Sequence, residues 1–122
     1  MTIKRIVIVS DLQVPYHDRV ATRNLASFIS KFKPDQVVTI GDEIDLPQIS
    51  KWEEGRMGSY AQTLDDDRNE AVQLLWELGV TDCIRSNHTD RLYNIIMAKV
   101  PAFGALPELR FEKFMKFDEL GI

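Results

Sequence analysis

The sequence has little cysteine and little histidine. Its 122 residues include one cysteine, Cys83, and two histidines, His17 and His88. A single cysteine excludes an internal disulfide, and its place in an apolar segment predicts a buried structural thiol. We therefore expect a protein of a reducing compartment rather than a small secreted scaffold held by disulfides.

Long apolar runs and a strong charge excess are also missing. The apolar run at residues 6–9 ends at Ser10, too soon for a signal peptide, and no stretch is long enough to span a membrane. These absences predict a cytoplasmic protein. With 15 Lys and Arg against 19 Asp and Glu, the net charge of -4 argues against a protein held mainly by nucleic-acid phosphates. A nuclease stays open, because a metal ion neutralises phosphate charge locally.

The apolar content is sufficient for one hydrophobic core. Apolar residues make up 44% of the chain, which is typical of a folded domain. The length suits one domain but not two, and no repeat, low-complexity run or linker divides it. We expect residues 1–122 to form a single domain.

Three segments rich in β-branched residues predict strands at residues 3–9, 36–40 and 80–85. The apolar residues in the first segment follow one another instead of alternating with polar ones. This pattern is typical of strands that are buried on both faces of a parallel sheet.

Helix signals lie between and after these segments. Asp18 is a suitable N-cap for a helix that runs to Phe32. Thr63 and Asp66 resemble a capping box, and Gly79 predicts the end of that helix. Further predictions are a short helix at 46–54, a loop at 54–62, and helices at about 89–99 and 107–117. The order β-α-β-α-β-α-α predicts an α/β protein with a parallel sheet, flanking helices and right-handed crossovers.

Each predicted strand ends in side chains of the metal-ligand type. Asp11 and Gln13 follow the first strand, residues 41–45 follow the second, and Asn87 and His88 follow the third. Because the carboxyl ends of parallel strands lie along one edge of a sheet, we expect these clusters to converge. Carboxylate and amide oxygens with an imidazole nitrogen suit a hard or borderline divalent ion.

The order of these clusters resembles that of calcineurin-like metallophosphoesterases. That superfamily has Asp-x-His, Gly-Asp-x-x-Asp and Gly-Asn-His-Asp/Glu, followed by a lone His and by Gly-His-x-His. The matching positions in this chain are Asp11, Gly41, Asp42, Asp45, Asn87 and His88. The resemblance covers the first three blocks, in order, across essentially the whole chain. In size it is similar to bacterial and bacteriophage versions.

The resemblance implies a role for each matched residue. Asp42 would bridge two metal ions, Asp11 would bind the first ion, and Asn87 would bind the second. His88 would lie beside the phosphate as an acid or charge stabiliser. The implied reaction is hydrolysis of a phosphomonoester or phosphodiester, with nucleic acids and nucleotides among the candidate substrates. Mn²⁺ is the expected ion, and Mg²⁺, Fe and Zn²⁺ are the other choices.

The chain departs from the superfamily pattern at several positions. Gln13 stands where the superfamily has a ligand histidine, Ser86 replaces a glycine, and Thr89 replaces an acidic residue. The two later histidine blocks have no counterpart. One weakly held ion, or none, is therefore an alternative to a two-metal site. The further candidate ligands are His17, Asp45 and Asp90.

The resemblance also implies an architecture. The chain would correspond to the first half of an αββα sandwich, with a parallel sheet flanked by helices. The second sheet would then be missing, and one apolar sheet face would need another cover, since large bare apolar patches are rare on soluble monomers. The phenylalanine-rich segment near the C-terminus is one candidate cover, and a second copy or a partner chain is the other. We expect a homo-oligomer or a complex.

Three functional interpretations remain open. The chain is an enzyme whose site is completed by an oligomer or another chain, or an inactive remnant that binds itself or a partner, or a fragment of a longer enzyme. Structural roles compete with each functional one. Asp11 and Asp42 can cap turns, His17 is in a loop, and residues 65–67 suit a positive helix N-terminus.

Overall fold

A computed structural model describes residues 2–49 and 63–122 of the chain. The sheet has three short parallel strands in the order β1 (Ile6–Val9), β2 (Gln36–Thr39) and β3 (Asp82–Cys83). The register pairs Val7 with Val37, and Thr39 with Cys83. This confirms an α/β protein with a parallel sheet, with all three strands shorter than the sequence predicts.

The described residues include three longer helices: α1 (Arg19–Phe32), α2 (Leu64–Glu77) and α3 (Asn87–Lys99). The predicted N-cap of α1 is confirmed, because the Asp18 carboxylate accepts from the backbone N–H groups of Val20 and Ala21, both at 2.9 Å. Lys33, in a left-handed conformation, closes the helix. Among the described helices, none combines the length and the apolar character needed to cross a bilayer.

The predicted capping box of α2 is also confirmed. The backbone N–H of Asp66 donates to Thr63 Oγ1, and the Asp66 carboxylate accepts from Thr63 N, each at 3.1 Å. The hydrogen bonds from the Thr63 hydroxyl and backbone hold the pKa of Asp66 below its usual range. Helix α3 begins two residues earlier than predicted, because Ser86 and Thr89 form a second capping box.

The short helix predicted at 46–54 is a 3₁₀ turn at Pro47–Ile49; its remainder and the predicted loop at 54–62 lie outside the described residues. The single helix predicted at 107–117 is wrong. Two 3₁₀ turns (Pro101–Ala105 and Pro107–Leu109) lead into α4 (Phe111–Phe114) and α5 (Phe117–Leu120). Lys116 adopts a left-handed conformation between α4 and α5, which breaks the helix.

The hydrophobic core lies on one face of the sheet. Val9 and Val37 point into it, and they meet Ile29 of α1 and Leu74 and Leu75 of α2. Both helices connect neighbouring strands in the same direction, so right-handed crossovers put them on the same side. The segment that follows α3 also contributes to the core, because Met115 is fully buried.

The opposite face of the sheet is open within the described residues. Ile6, Ile8, Ile40 and Ile84 are exposed by 47%, 64%, 47% and 54%. The apolar pattern predicts strands that are buried on both faces. This prediction is wrong for the described residues, because one face of the sheet is exposed. The reason is topological, because both crossover helices lie on the other face.

Candidate functional site at the strand ends

The loops that follow β1 and β2 are held side by side by their backbones. Gln13 N donates to Asp42 O at 2.8 Å, and Val14 N donates to Glu43 O at 3.1 Å. An isolated parallel bridge between Val14 and Ile44 extends this contact beyond the sheet. The first two polar clusters therefore share one edge of the sheet.

The loop after β3 joins the same edge through Ser86. Its hydroxyl oxygen accepts from Asp42 N at 3.1 Å. Gly41 makes this approach possible, because a Cβ at position 41 would lie 2.5 Å from the Ser86 Cβ. Gly41 also has a φ of +114°, which side chains rarely adopt.

Three ionisable side chains meet where these loops join. His88 Nδ1 lies 3.4 Å from Asp42 Oδ1, and His88 Nε2 lies 3.8 Å from Asp45 Oδ1. The imidazole is 12% exposed, and both carboxylates are about one-fifth exposed. Arg91 adds a positive charge, with Nη1 at 3.7 Å from Asp45 Oδ2 and a hydrogen bond to the Asp45 carbonyl. The cluster contains two acids, an imidazole and a guanidinium.

Two buried polar atoms in this cluster have no hydrogen-bond partner among the described residues. They are Asp42 Oδ1 and His88 Nδ1, which face each other without hydrogen-bond alignment. Buried polar atoms in native proteins nearly always have a partner, so each exception calls for an explanation such as a bound ion or water. The Asp42 carboxylate oxygen is a suitable ligand atom for a divalent cation.

Asp11 and Gln13 make their contacts within their own loop. Asp11 is exposed, and its carboxylate accepts from the Ser10 hydroxyl and lies 3.5 Å from Gln13 Nε2. In the described ranges, no group of three or more His, Cys, Asp or Glu side chains has the geometry of a metal site. The structure thus places Asp42 and Asp45 each near one nitrogen of His88, while Asp11 contacts Ser10 and Gln13.

The remaining predicted ligands have other surroundings. Asn87 is exposed at the first position of α3. Asp90 forms an ion pair with Arg85. His17 is nearly buried, with Nε2 at 3.7 Å from Glu70 Oε1, and lines a cavity of about 310 Å³ that Asp11 also lines.

The backbone at this edge adopts conformations that cost energy. Asp11, Gln13 and Asp42 have φ values of 55°, 48° and 60°, in the left-handed region. The left-handed conformation costs an L-residue roughly 1–2 kcal/mol, and less for Asp, whose short polar side chain can hydrogen-bond locally. Such conformations cluster at functional sites, where the surrounding structure holds side chains in place.

Two site residues are not among the candidates that the sequence predicts. Arg91 follows His88 by three positions on α3, a spacing that puts both on one helix face and could have identified it. Ser86 is visible in the sequence only as a replacement for a glycine. Its contact with Asp42 N depends on how the loops after β2 and β3 pack together.

Cys83 is a partly buried residue of β3, at the edge of the sheet. Burial raises the pKa of its thiol to about 11. Its Sγ lies 3.0 Å from the hydroxyl oxygen of Thr39, which donates to the buried Glu43 at 2.6 Å. A thiol with this pKa is protonated at neutral pH, so its surroundings are those of a structural residue.

The chain is similar to two bacteriophage proteins. The gene 54 protein of Mycobacterium phage D29 is 32% identical over 126 residues, which cover 98% of this chain and 49% of that protein. The gene 54 protein of Mycobacterium phage L5 is 29% identical over the same coverage. The chain thus spans about half the length of these relatives, and their names state no activity. No family model matches the chain, and no solved structure matches it significantly.

Proposed function

We propose that this chain carries part of a metal-dependent phosphoesterase site of the calcineurin-like metallophosphoesterase type, as the first half of that fold. The observation that carries the proposal is the cluster of Asp42, Asp45 and His88 at the carboxyl edge of a parallel sheet, with Asp42 Oδ1 buried and without a hydrogen-bond partner in the described part. Open α/β sheets bind ligands at this edge.

The donors present fit one divalent ion better than two. Asp42 would hold the ion, Asn87 would add an amide oxygen, and water would fill the other positions, which is common for Mg²⁺ and Mn²⁺. Asp11 and Gln13 would bind the ion only if Asp11 gave up its hydrogen bond with Ser10 and the contact between Asp11 and Gln13 were broken. A bound ion would supply charge neutralisation for a phosphate and acidify a water molecule.

The chain's own side chains would orient the phosphoester and handle protons. His88 is the best candidate for a proton donor or charge stabiliser, since the carboxylates of Asp42 and Asp45 flank its two nitrogens. Arg91 holds Asp45 by an ion pair and a backbone hydrogen bond, and so fixes one side of the imidazole. The substrate class is a phosphomonoester or phosphodiester, with nucleotides or nucleic acid as candidates.

An inactive partner-binding module is the second candidate function. The engagement of Asp11 with Ser10 and the open apolar sheet face favour it. In this case the strand-end residues serve only to hold the loops together.

Hydrolysis of bis(4-nitrophenyl) phosphate with Mn²⁺ separates the two. Asp42→Asn removes a charge with little change in shape, and Asp35→Asn makes the same change at the opposite end of β2 as a control. The enzyme proposal predicts a Mn²⁺-dependent rate that Asp42→Asn lowers at least tenfold and Asp35→Asn leaves unchanged. Equal rates in the wild type and Asp42→Asn would support the inactive module.

A further inference from the structure

The open face of the sheet is apolar towards the carboxyl ends of the strands, and Gln36 and Asp82 form a polar pair at its other margin, with Gln36 Nε2 donating to Asp82 Oδ2 at 3.4 Å. The parallel register puts Ile6 and Ile8 of β1 beside Gln36 and Val38 of β2. The ladder continues with Ile40 N donating to Val9 O and Ile84 N donating to Thr39 O, so Ile40 and Ile84 extend the same face. We call this surface, formed by Ile6, Ile8, Val38, Ile40 and Ile84, the open face. Parallel sheets in native proteins are almost always covered on both sides.

Room for more polypeptide also exists beside the edge strand. β3 lies at one end of the strand order and pairs only with β2 among the described strands. A cavity of about 590 Å³ opens next to it, lined by Ile84, Tyr93 and Leu106 among others. Ile84 belongs to both surfaces, so the cavity and the open face meet.

The phage relatives indicate what covers these surfaces. Both are about twice as long as this chain, and the matched region covers 49% of each. In each relative, the polypeptide outside the matched region is therefore about as long as the matched region itself. Because both belong to one chain, they occur in a 1:1 ratio. A folded segment of that size is sufficient to cover a three-stranded sheet.

We propose that the open face is the docking surface for a polypeptide equivalent to the unmatched half of these relatives. The contact is an apolar sheet face against the apolar face of that second half. The evidence for this docking surface is the exposure of the isoleucines and the length of the relatives. The docking requires neither a bound metal ion nor enzymatic activity.

Co-expression tests the proposal directly. This chain is produced together with the unmatched half of the D29 gene 54 protein, and the purified material is examined by native mass spectrometry and light scattering in EDTA. The expected result is a 1:1 complex. Ile8→Lys, at a position 64% exposed in this chain, is expected to weaken the complex at least tenfold without changing the chain's own fold.

Val20→Lys is the matched control, because Val20 is 62% exposed on α1, away from the open face. It is expected to leave the complex intact. Absence of a 1:1 complex, or equal effects of Ile8→Lys and Val20→Lys, would overturn the proposal. A dimer of this chain that Ile8→Lys dissociates would also overturn it, by assigning the face to a second copy. Because the buffer contains EDTA, the result is independent of the proposed phosphoesterase activity.

Discussion

Gly41 connects the two loops that carry Asp42 and Ser86, and its replacement by alanine tests that connection. The new Cβ would lie 2.5 Å from the Ser86 Cβ and 3.2 Å from its Oγ. The backbone would also have to hold an alanine at a φ of +114°. Gly41→Ala is therefore expected to push the β3 loop away from the β2 loop and to destabilise the fold.

The magnitude follows from two terms. A φ of +114° lies outside the left-handed α region, and holding an L-residue in such a sparsely populated conformation costs roughly 1–3 kcal/mol. Forcing an extra carbon into a packed contact costs about 1–3 kcal/mol. We expect Gly41→Ala to lower the free energy of unfolding by about 2–6 kcal/mol.

Gly79→Ala is the matched control for the backbone term. Gly79 also has a positive φ, of 64°, but a Cβ there would have no heavy atom within 4 Å. It should cost only about 1–2 kcal/mol. Urea denaturation of the three proteins measures both values, and the difference between the two variants contains the contact with Ser86 together with the extra backbone cost of φ +114°.

A double variant makes the test specific to Ser86. Ser86→Gly removes the clashing Cβ. Its own cost is a few tenths of a kcal/mol at the N-cap plus the lost hydrogen bond from Asp42 N, and the single variant Ser86→Gly measures that cost so that it can be subtracted. Gly41→Ala combined with Ser86→Gly should therefore recover much of the contact term, with an interaction free energy of about 1 kcal/mol or more. If Gly41→Ala costs no more than Gly79→Ala, or if Ser86→Gly gives no recovery, the described packing of the two loops is wrong.

Three further predictions concern other residues. Burial raises the pKa of Cys83 to about 11, so iodoacetamide should modify its thiol at pH 7.5 much more slowly than it modifies a small-molecule thiol. The two modification rates should become equal only when the protein unfolds. Equal rates in the native state would contradict the burial of Cys83. Thr63→Ala should destabilise the fold by about 1 kcal/mol at pH 7. The hydrogen bond from the Thr63 hydroxyl helps to lower the pKa of Asp66 in the folded state. The part of the effect that comes from this bond to the carboxylate is therefore present above the unfolded pKa and is lost as pH falls through the folded pKa. An equal effect of Thr63→Ala at pH 7 and pH 2.5 in urea denaturation would argue against the bond between the Thr63 hydroxyl and the Asp66 carboxylate. His88→Ala should lower a Mn²⁺-dependent phosphodiesterase rate by about 10²–10⁴-fold while Mn²⁺ binding persists, and loss of binding in calorimetry would show that His88 is a ligand instead of a proton donor.

The local signals in the sequence predict the local structure well. Asp18 caps α1, and Thr63 with Asp66 caps α2, because capping depends on side chains only two or three residues from the backbone groups they satisfy. The parallel sheet follows from the alternation of strand and helix signals.

Other features depend on contacts between distant segments. The predicted helix at 107–117 breaks at Lys116, where Met115 enters the core and Phe111 packs edge-to-face on Phe117 at 5.9 Å. Apolar composition alone does not fix which way a short segment folds back.

The candidate site shows the same limit. The sequence predicts that polar residues meet at the strand ends, and the backbone contacts between the loops agree with this. The sequence does not predict that Asp11 accepts a hydrogen bond from Ser10, or that Arg91 forms an ion pair with Asp45, because side-chain orientation depends on how the loops pack.

Electron paramagnetic resonance measures Mn²⁺ binding at Asp42 directly, as the loss of the free Mn²⁺ signal. We expect the wild-type chain to remove close to one equivalent of free Mn²⁺, Asp42→Asn to weaken this binding at least tenfold, and Asp35→Asn to have no effect. Equal binding by the wild type and Asp42→Asn, or no binding by the wild type at millimolar Mn²⁺, would contradict a metal site at Asp42.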